Sequence, residues 1–232
     1  MRKCMVAVIT AACLLSALLS GCERVQQEES RPPIEARESE YLVAVVPDLS
    51  GSFRRMMAEG DGKAYRFMMA VIDRYFRDRL GSNDRLLIAQ ISATQNTLLW
   101  DGQPKQISSH FQSAAAFNEF LLQNSHPAGS RCHQGLADTL EYVLSCPGVA
   151  EGRTRSAIFL LSDMEDNAPD SAEQKARAKR LLAEFAKVGG VVGMYWVGSP
   201  LTEWRQILKE AGVKNSMIES SIVAEPDLPK FD

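Results

Sequence analysis

Residues 41 to 52, Tyr-Leu-Val-Ala-Val-Val-Pro-Asp-Leu-Ser-Gly-Ser, pass from an apolar run straight into one acid and two hydroxyls. The run from Tyr41 to Val46 contains several β-branched residues and no period-two alternation. That pattern predicts a strand covered on both faces, as in a parallel sheet. In open α/β sheets, ligands sit just beyond the carboxyl ends of such strands. Asp48, Ser50 and Ser52 therefore stand where a site would be built. Their Asp-x-Ser-x-Ser spacing offers a carboxylate and two hydroxyl oxygens on a tight loop, hard donors that suit Mg²⁺ or Mn²⁺. The plainer reading is that Asp48 and Ser50 cap the turns that follow.

What precedes this strand reads as targeting sequence. Met1 to Cys22 has a short basic start (Arg2, Lys3), an apolar stretch from Met5 to Leu19, and then Leu19-Ser20-Gly21-Cys22. The apolar stretch is too short for a comfortable membrane span and fits a secretory signal. The small residues before Cys22 resemble a bacterial lipoprotein lipobox. That resemblance implies removal of residues 1–21 and lipidation of Cys22, which anchors the protein to a membrane of the cell envelope. Glu23 follows the cysteine where an Asp would imply inner-membrane retention, so the expectation is the outer membrane, facing the periplasm. Residues 22–40 are charged, contain Pro32-Pro33 and lack apolar periodicity, which predicts a disordered tether spanning roughly 20 to 25 Å. Residues 41–232 are one domain's worth of chain.

The formal net charge is −3 and becomes more negative once Arg2 and Lys3 leave with the signal, which argues against a nucleic-acid partner. Of five cysteines, two lie in the signal and Cys22 is the lipid site, leaving Cys132 and Cys146. Export invites a disulfide between them. A helix filling the interval would hold them about 15 to 20 Å apart, beyond the reach of a bridge.

Downstream, strand and helix signals alternate. Ala64, Phe67, Met68, Val71, Ile72, Tyr75 and Phe76 recur at helical spacing. Arg85 to Ser92 reads as a strand, and Thr97 to Trp100 as a shorter one turning at Asp101-Gly102. Phe111 to Gln123 has a helical period; Ser125 to Gln134 reads as a polar loop and Gly135 to Ser145 as a helix. Ser156 to Ser162 is a second buried strand that also runs into an acid, Asp163. Ser171 to Lys187 is a helix, Val191 to Val197 a third buried strand, Leu201 to Ala211 a helix, and Met217 to Val223 an edge strand. Such alternation predicts an α/β fold, doubly wound, with a mainly parallel sheet flanked by helices.

Asp48-Leu-Ser-Gly-Ser52 after the first strand, Ser162-Asp163 after a later one, and the order of elements resemble a von Willebrand factor A (vWA) domain over about residues 41 to 223. The resemblance implies a metal-ion-dependent adhesion site. Ser50 and Ser52 would ligate the metal directly, and Asp48 and Asp163 directly or through water. The family's Thr usually sits in a Gly-Gly-Thr segment before a helix. Here that segment is Gly129-Ser130-Arg131-Cys132-His133-Gln134-Gly135. Ser130 is the best oxygen candidate, with Cys132 or Gln134 the alternatives on counting back from the helix. Met164 stands where the family commonly has Gly, and is expected to narrow the approach to the metal.

The remaining polar residues have plainer readings. Glu165, Asp166 and Asn167 read as a solvated acidic cap. His126 and His133 read as loop histidines, because no metal-ligand spacing links them. Trp100, Trp196 and Trp204 fit packing better than a binding platform. The expected function is non-enzymatic: a lipid-anchored binding module whose metal is completed by an Asp or Glu of a protein partner. A scaffold with a degenerate metal site is the alternative. A metal-dependent hydrolase would need a base beside a nucleophile, or a His in the constellation.

Overall fold

The computed structural model describes residues 39–58, 62–77, 83–91, 96–126 and 129–220, except the side chains of Ser52 and Ala58. These fall within Arg37–Asp232, one of two units of the chain. The signal, Cys22 and nearly all of the tether lie outside the described residues.

In chain order the described elements are β1 (Tyr41–Pro47), α1 (Gly51–Ala58), α2 (Lys63–Phe76), β2 (Arg85–Ala89), β3 (Leu98–Gly102), α3 (Pro104–His110) and α4 (Ala114–Gln123). There follow α5 (Cys132–Ser145), α6 (Pro147–Ala150), β4 (Arg155–Leu161), α7 (Ser171–Lys187), β5 (Val191–Val197), α8 (Leu201–Ala211) and β6 (Ser216–Ser220). The strands form one sheet in the order β3-β2-β1-β4-β5-β6. All pairs are parallel except β2–β3. The expected doubly wound α/β fold is the fold observed.

The lack of alternation in β1 has a direct cause, because successive side chains point to opposite faces and both faces are covered. Leu42, Ala44 and Val46 pack with Leu136 and Leu140 of α5, Phe185 of α7 and Trp204 of α8. Val43 and Val45 pack on the other face with Met68 and Val71 of α2 and Phe117 and Leu121 of α4.

Register levels the strand ends. Tyr41 pairs with Arg155 and Pro47 with Leu161, so β1 and β4 finish side by side and deliver Asp48 and Ser162 together. On the other side Asp48 bridges Ile91, with Ile91 N donating to Pro47 O at 3.1 Å and Leu49 N to Ile91 O at 2.9 Å.

Several boundaries differ from expectation. The Asp-x-Ser-x-Ser segment is not all loop, because α1 begins at Gly51 and Ser52 lies in its first turn. Asp101-Gly102 does not turn but continues β3 along β2, with Leu87 opposite Asp101 and Leu86 opposite Gly102. The helix expected from Phe111 to Gln123 is α4, which starts at Ala114, and a separate helix, α3, precedes it at Pro104–His110. Pro104 and a Gln103–Gln106 capping box start α3, and Ser113 caps α4 by accepting from Ala116 N at 3.1 Å. The helix expected from Gly135 starts at Cys132, so Cys132, His133 and Gln134 are helical rather than loop. Gly135 allows that turn close to the sheet, because a Cβ there would lie 3.1 Å from Gln90 O and Ile91 Cγ1. Cys132 and Cys146 are free thiols at the two ends of α5. Met217 to Ser220 lie in β6 as expected, and residues 221–223 fall outside the described residues.

Candidate metal centre

Asp48 is fully buried, and both carboxylate oxygens are in use. Oδ1 accepts from Ser50 N at 2.9 Å and from Ser50 Oγ at 2.5 Å. Oδ2 accepts from Ser162 Oγ at 2.8 Å and from Ser130 Oγ at 3.3 Å. Ser50 Oγ and Ser130 Oγ are themselves hydrogen-bonded. Two strand-end segments and one helix-connecting segment thus converge on one carboxylate, through Ser50 after β1, Ser162 after β4 and Ser130 before α5.

Asp163 faces this cluster from a half-buried position. Its Oδ1 accepts from Glu165 N at 3.0 Å, and its carbonyl accepts from Gly198 N at 2.9 Å, which fixes it against the segment after β5. The Cys132 side chain is also here. Its Sγ lies 3.6 Å from Ser162 Oγ and 3.7 Å from Glu165 O. One ligand atom from each of Asp48, Cys132 and Asp163 falls within 4.8 Å of the other two.

Burial pushes the Asp48 carboxyl up to about 6, over the opposing hydrogen bonds from Ser50 and Ser162, and the neighbouring Asp163 pushes the same way. The Cys132 thiol is pushed well above its ordinary range, by burial first and by Asp48 next. Both effects mark a site with excess negative charge and little water.

The alternatives for the third segment now separate. Ser130 reaches the cluster, as does Cys132. Gln134 does not, since its Oε1 accepts from Arg131 Nη1 at 2.7 Å. The Ser52 side chain and Cys22 lie outside the description.

Met164 corrects the expectation that it narrows the approach. Its φ is 60°, in the left-handed region that glycine adopts without cost. Its side chain is only 1% exposed and belongs to the core beside α5, α7 and α8 rather than lying over Asp163.

Two residues read as peripheral also contribute. Ser162 was legible only as the end of a strand, yet it donates to Asp48 and accepts from Met164 N at 2.9 Å. Asp166 is not a solvated cap, because its side chain is 2% exposed. It accepts from His133 N at 2.8 Å and Ala168 N at 2.9 Å. Asp166 thereby caps α5 from another loop, and Arg131 at the N-cap position supplies no side-chain bond of its own. His133 is correspondingly buried, with Nδ1 2.9 Å from Ser171 Oγ and 3.3 Å from Asp166 Oδ2, and its ring packs on Trp204. No sequence spacing links residues 133, 166 and 171, so this set had no signal.

The donor set can be tested against a metal. Among the described residues, every side chain that hydrogen-bonds Asp48 is a neutral serine, so the buried carboxylate has no cationic side-chain partner. Two carboxylates and hydroxyl oxygens at one sheet edge are ligands of the kind a small divalent cation takes. Asp48, Ser50, Ser130 and Asp163 fit such an ion.

No family model matches this chain, and no curated protein sequence does. Solved structures do match. The SpRpn10 VWA domain superposes with a TM-score of 0.53 over 81% of this chain and 90% of that one, at 13% identity. The fold is that of a von Willebrand factor A domain. The vWA topology is also met in two further neighbours. The N-terminal domain of TFIIH p34 has a TM-score of 0.54 at 14% identity, over 79% of this chain and 92% of that one. The pilus adhesin SpaC from Lactobacillus rhamnosus GG, in its open conformation, has a TM-score of 0.52 at 11% identity, over 81% of this chain and 28% of the adhesin. At these identities the likeness is one of fold.

Proposed function

We propose that this vWA domain is a non-enzymatic protein-binding module working through a divalent cation, Mg²⁺ or Mn²⁺, held by Asp48, Ser50, Ser130 and Asp163. The observation that carries the reading is the convergence of those four residues at the carboxyl edge of the sheet, around a buried carboxylate whose side-chain partners among the described residues are neutral. Neutral hydroxyls bring no charge to a bound dication, and carboxylates that reach it through water offset its charge less than direct ligands, leaving an open position that favours an incoming Asp or Glu from a partner protein. Activation of a water would call for a nearby base, and His133 is committed to Ser171 and Asp166. SpaC, a pilus adhesin of the same fold, is consistent with a binding role. Lipid on Cys22 would hold the domain at the cell envelope, on the outer membrane and facing the periplasm.

The test uses the full chain purified in detergent. Calorimetric titration is expected to give Mg²⁺ or Mn²⁺ binding that Asp48→Ala abolishes. Pull-down from envelope extracts is expected to recover a partner with Mg²⁺ and to lose it with chelator or with Asp163→Ala. Retention of that partner under chelator and by both variants would replace the adhesion reading with a metal-independent scaffold. Cys22→Ser is expected to abolish labelling by a fatty-acid analogue; retained labelling would move the anchor elsewhere.

A further inference from the structure

Cys132 sets this centre apart from an all-oxygen one. Its side chain is fully buried in the first turn of α5, and its Sγ shares with Asp48 and Asp163 a group whose ligand atoms all lie within 4.8 Å of one another. The three donors arrive from separate segments, after β1, at the start of α5 and after β4. A zinc-class ion, with bonds of about 2.0 to 2.2 Å to oxygen and about 2.3 Å to sulfur, sets tetrahedral ligand atoms roughly 3.3 to 3.8 Å apart. The present group, with its ligand atoms within 4.8 Å of one another, is looser than that spacing and would have to contract on binding. Among the described residues the sulfur's polar contacts are long, 3.6 Å to Ser162 Oγ and 3.7 Å to Glu165 O. Ser50 and Ser130, hydrogen-bonded to each other beside Asp48, supply a hydroxyl for a fourth position.

We infer that Cys132 is a further ligand of the cation, and that this refines the metal of the oxygen-only set: the centre takes a thiophilic divalent ion of the Zn²⁺ or Co²⁺ kind more tightly than Mg²⁺ or Mn²⁺. The inference rests on the reading of Asp48 and Asp163 as cation ligands. Thiolate sulfur adds strongly to the affinity for Zn²⁺ and little to that for Mg²⁺, which prefers oxygen in octahedral geometry. On binding, the sulfur–metal bond replaces the S–H bond, and the proton passes to solvent without any change of oxidation state.

The experiment uses the full chain in detergent, stripped with chelator and titrated with Co²⁺, Zn²⁺ and Mg²⁺ separately. Wild type and Cys146→Ser are expected to develop a near-ultraviolet sulfur-to-cobalt charge-transfer band, and Cys132→Ser to lack it. The Zn²⁺-over-Mg²⁺ preference is expected to fall about tenfold or more in Cys132→Ser, with Mg²⁺ affinity changed less than about threefold. Co²⁺ bound by wild type and lost in Asp48→Ala, but with no such band, would overturn the role of Cys132 and leave the cation reading standing. Failure of wild type to bind any of the three ions would overturn both. The wild-type spectrum decides even if Cys132→Ser and Cys132→Ala fold poorly.

Discussion

Ser162 Oγ donates to Asp48 Oδ2 at 2.8 Å across 114 positions of sequence, and accepts from Met164 N at 2.9 Å. One hydroxyl therefore orients the buried acid and also braces the turn that carries Asp163. Removing it with Ser162→Ala takes a charge-assisted hydrogen bond from a carboxylate that has no cationic side-chain partner among the described residues. Urea denaturation is expected to give a stability loss of about 1 to 3 kcal/mol. A loss within error would mean that Asp48 is oriented by Ser50 and Ser130 alone.

Asp48 makes its own contribution to the pH dependence of the metal-free protein. Its carboxyl is raised from 3.8 to about 6 in the folded chain, mainly by burial. Between those values folded Asp48 binds more protons than unfolded Asp48, so its contribution to stability falls as pH rises through that window and is fully present below it. The magnitude is on the order of 3 kcal/mol. Denaturation in chelator across this range is expected to show this slope in the difference between wild type and Asp48→Asn. Added metal, which needs the ionised form, is expected to reverse it and to bind more weakly as pH drops below about 6.

Met164→Gly relieves the left-handed backbone, worth about 1 to 2 kcal/mol, but empties the space of a core methionine, at a cost of about 2 to 5 kcal/mol. Burial decides the sign, because this side chain is in the core and not over the site. The variant is expected to be net destabilised in urea with its metal affinity nearly unchanged. A gain in stability would show that strain outweighs packing here.

Asp166→Asn tests the cap supplied to α5 from another loop. It keeps an acceptor but loses the charge that His133 N and ring face. A loss of about 0.5 to 2 kcal/mol is expected, with faster hydrogen exchange in the first turn of α5. The His133 imidazole already titrates below its ordinary value, through burial first, and Asp166 opposes that shift. Its titration by NMR is expected to move lower still in the variant.

The helices at Ser171–Lys187 and Leu201–Ala211 and the strand at Val191–Val197 were legible to the residue, and the strand after Glu40 nearly so. Each carries its own signal in periodicity or in an unbroken apolar run. Boundaries failed where the cause lay elsewhere in the chain. The start of α5 depends on Asp166, which lies 33 residues from His133, and the continuation of β3 through Asp101-Gly102 depends on an open partner edge on β2. Met164 misled because sequence reveals a side chain but not the direction its backbone gives it.

The sequence by itself determined that a strand covered on both faces ends in Asp48-Leu-Ser-Gly-Ser52 and that another ends in Ser162-Asp163, since apolar runs and their polar breaks are local properties of the chain. Which side chains meet was decided by the tertiary structure alone. The parallel register of β1 on β4 sets Ser162 beside Asp48, and the close approach of α5 at Gly135 accompanies the arrival of Ser130 and Cys132. Ladder register and helix packing are satisfied between residues far apart in the chain, so no local pattern encodes them.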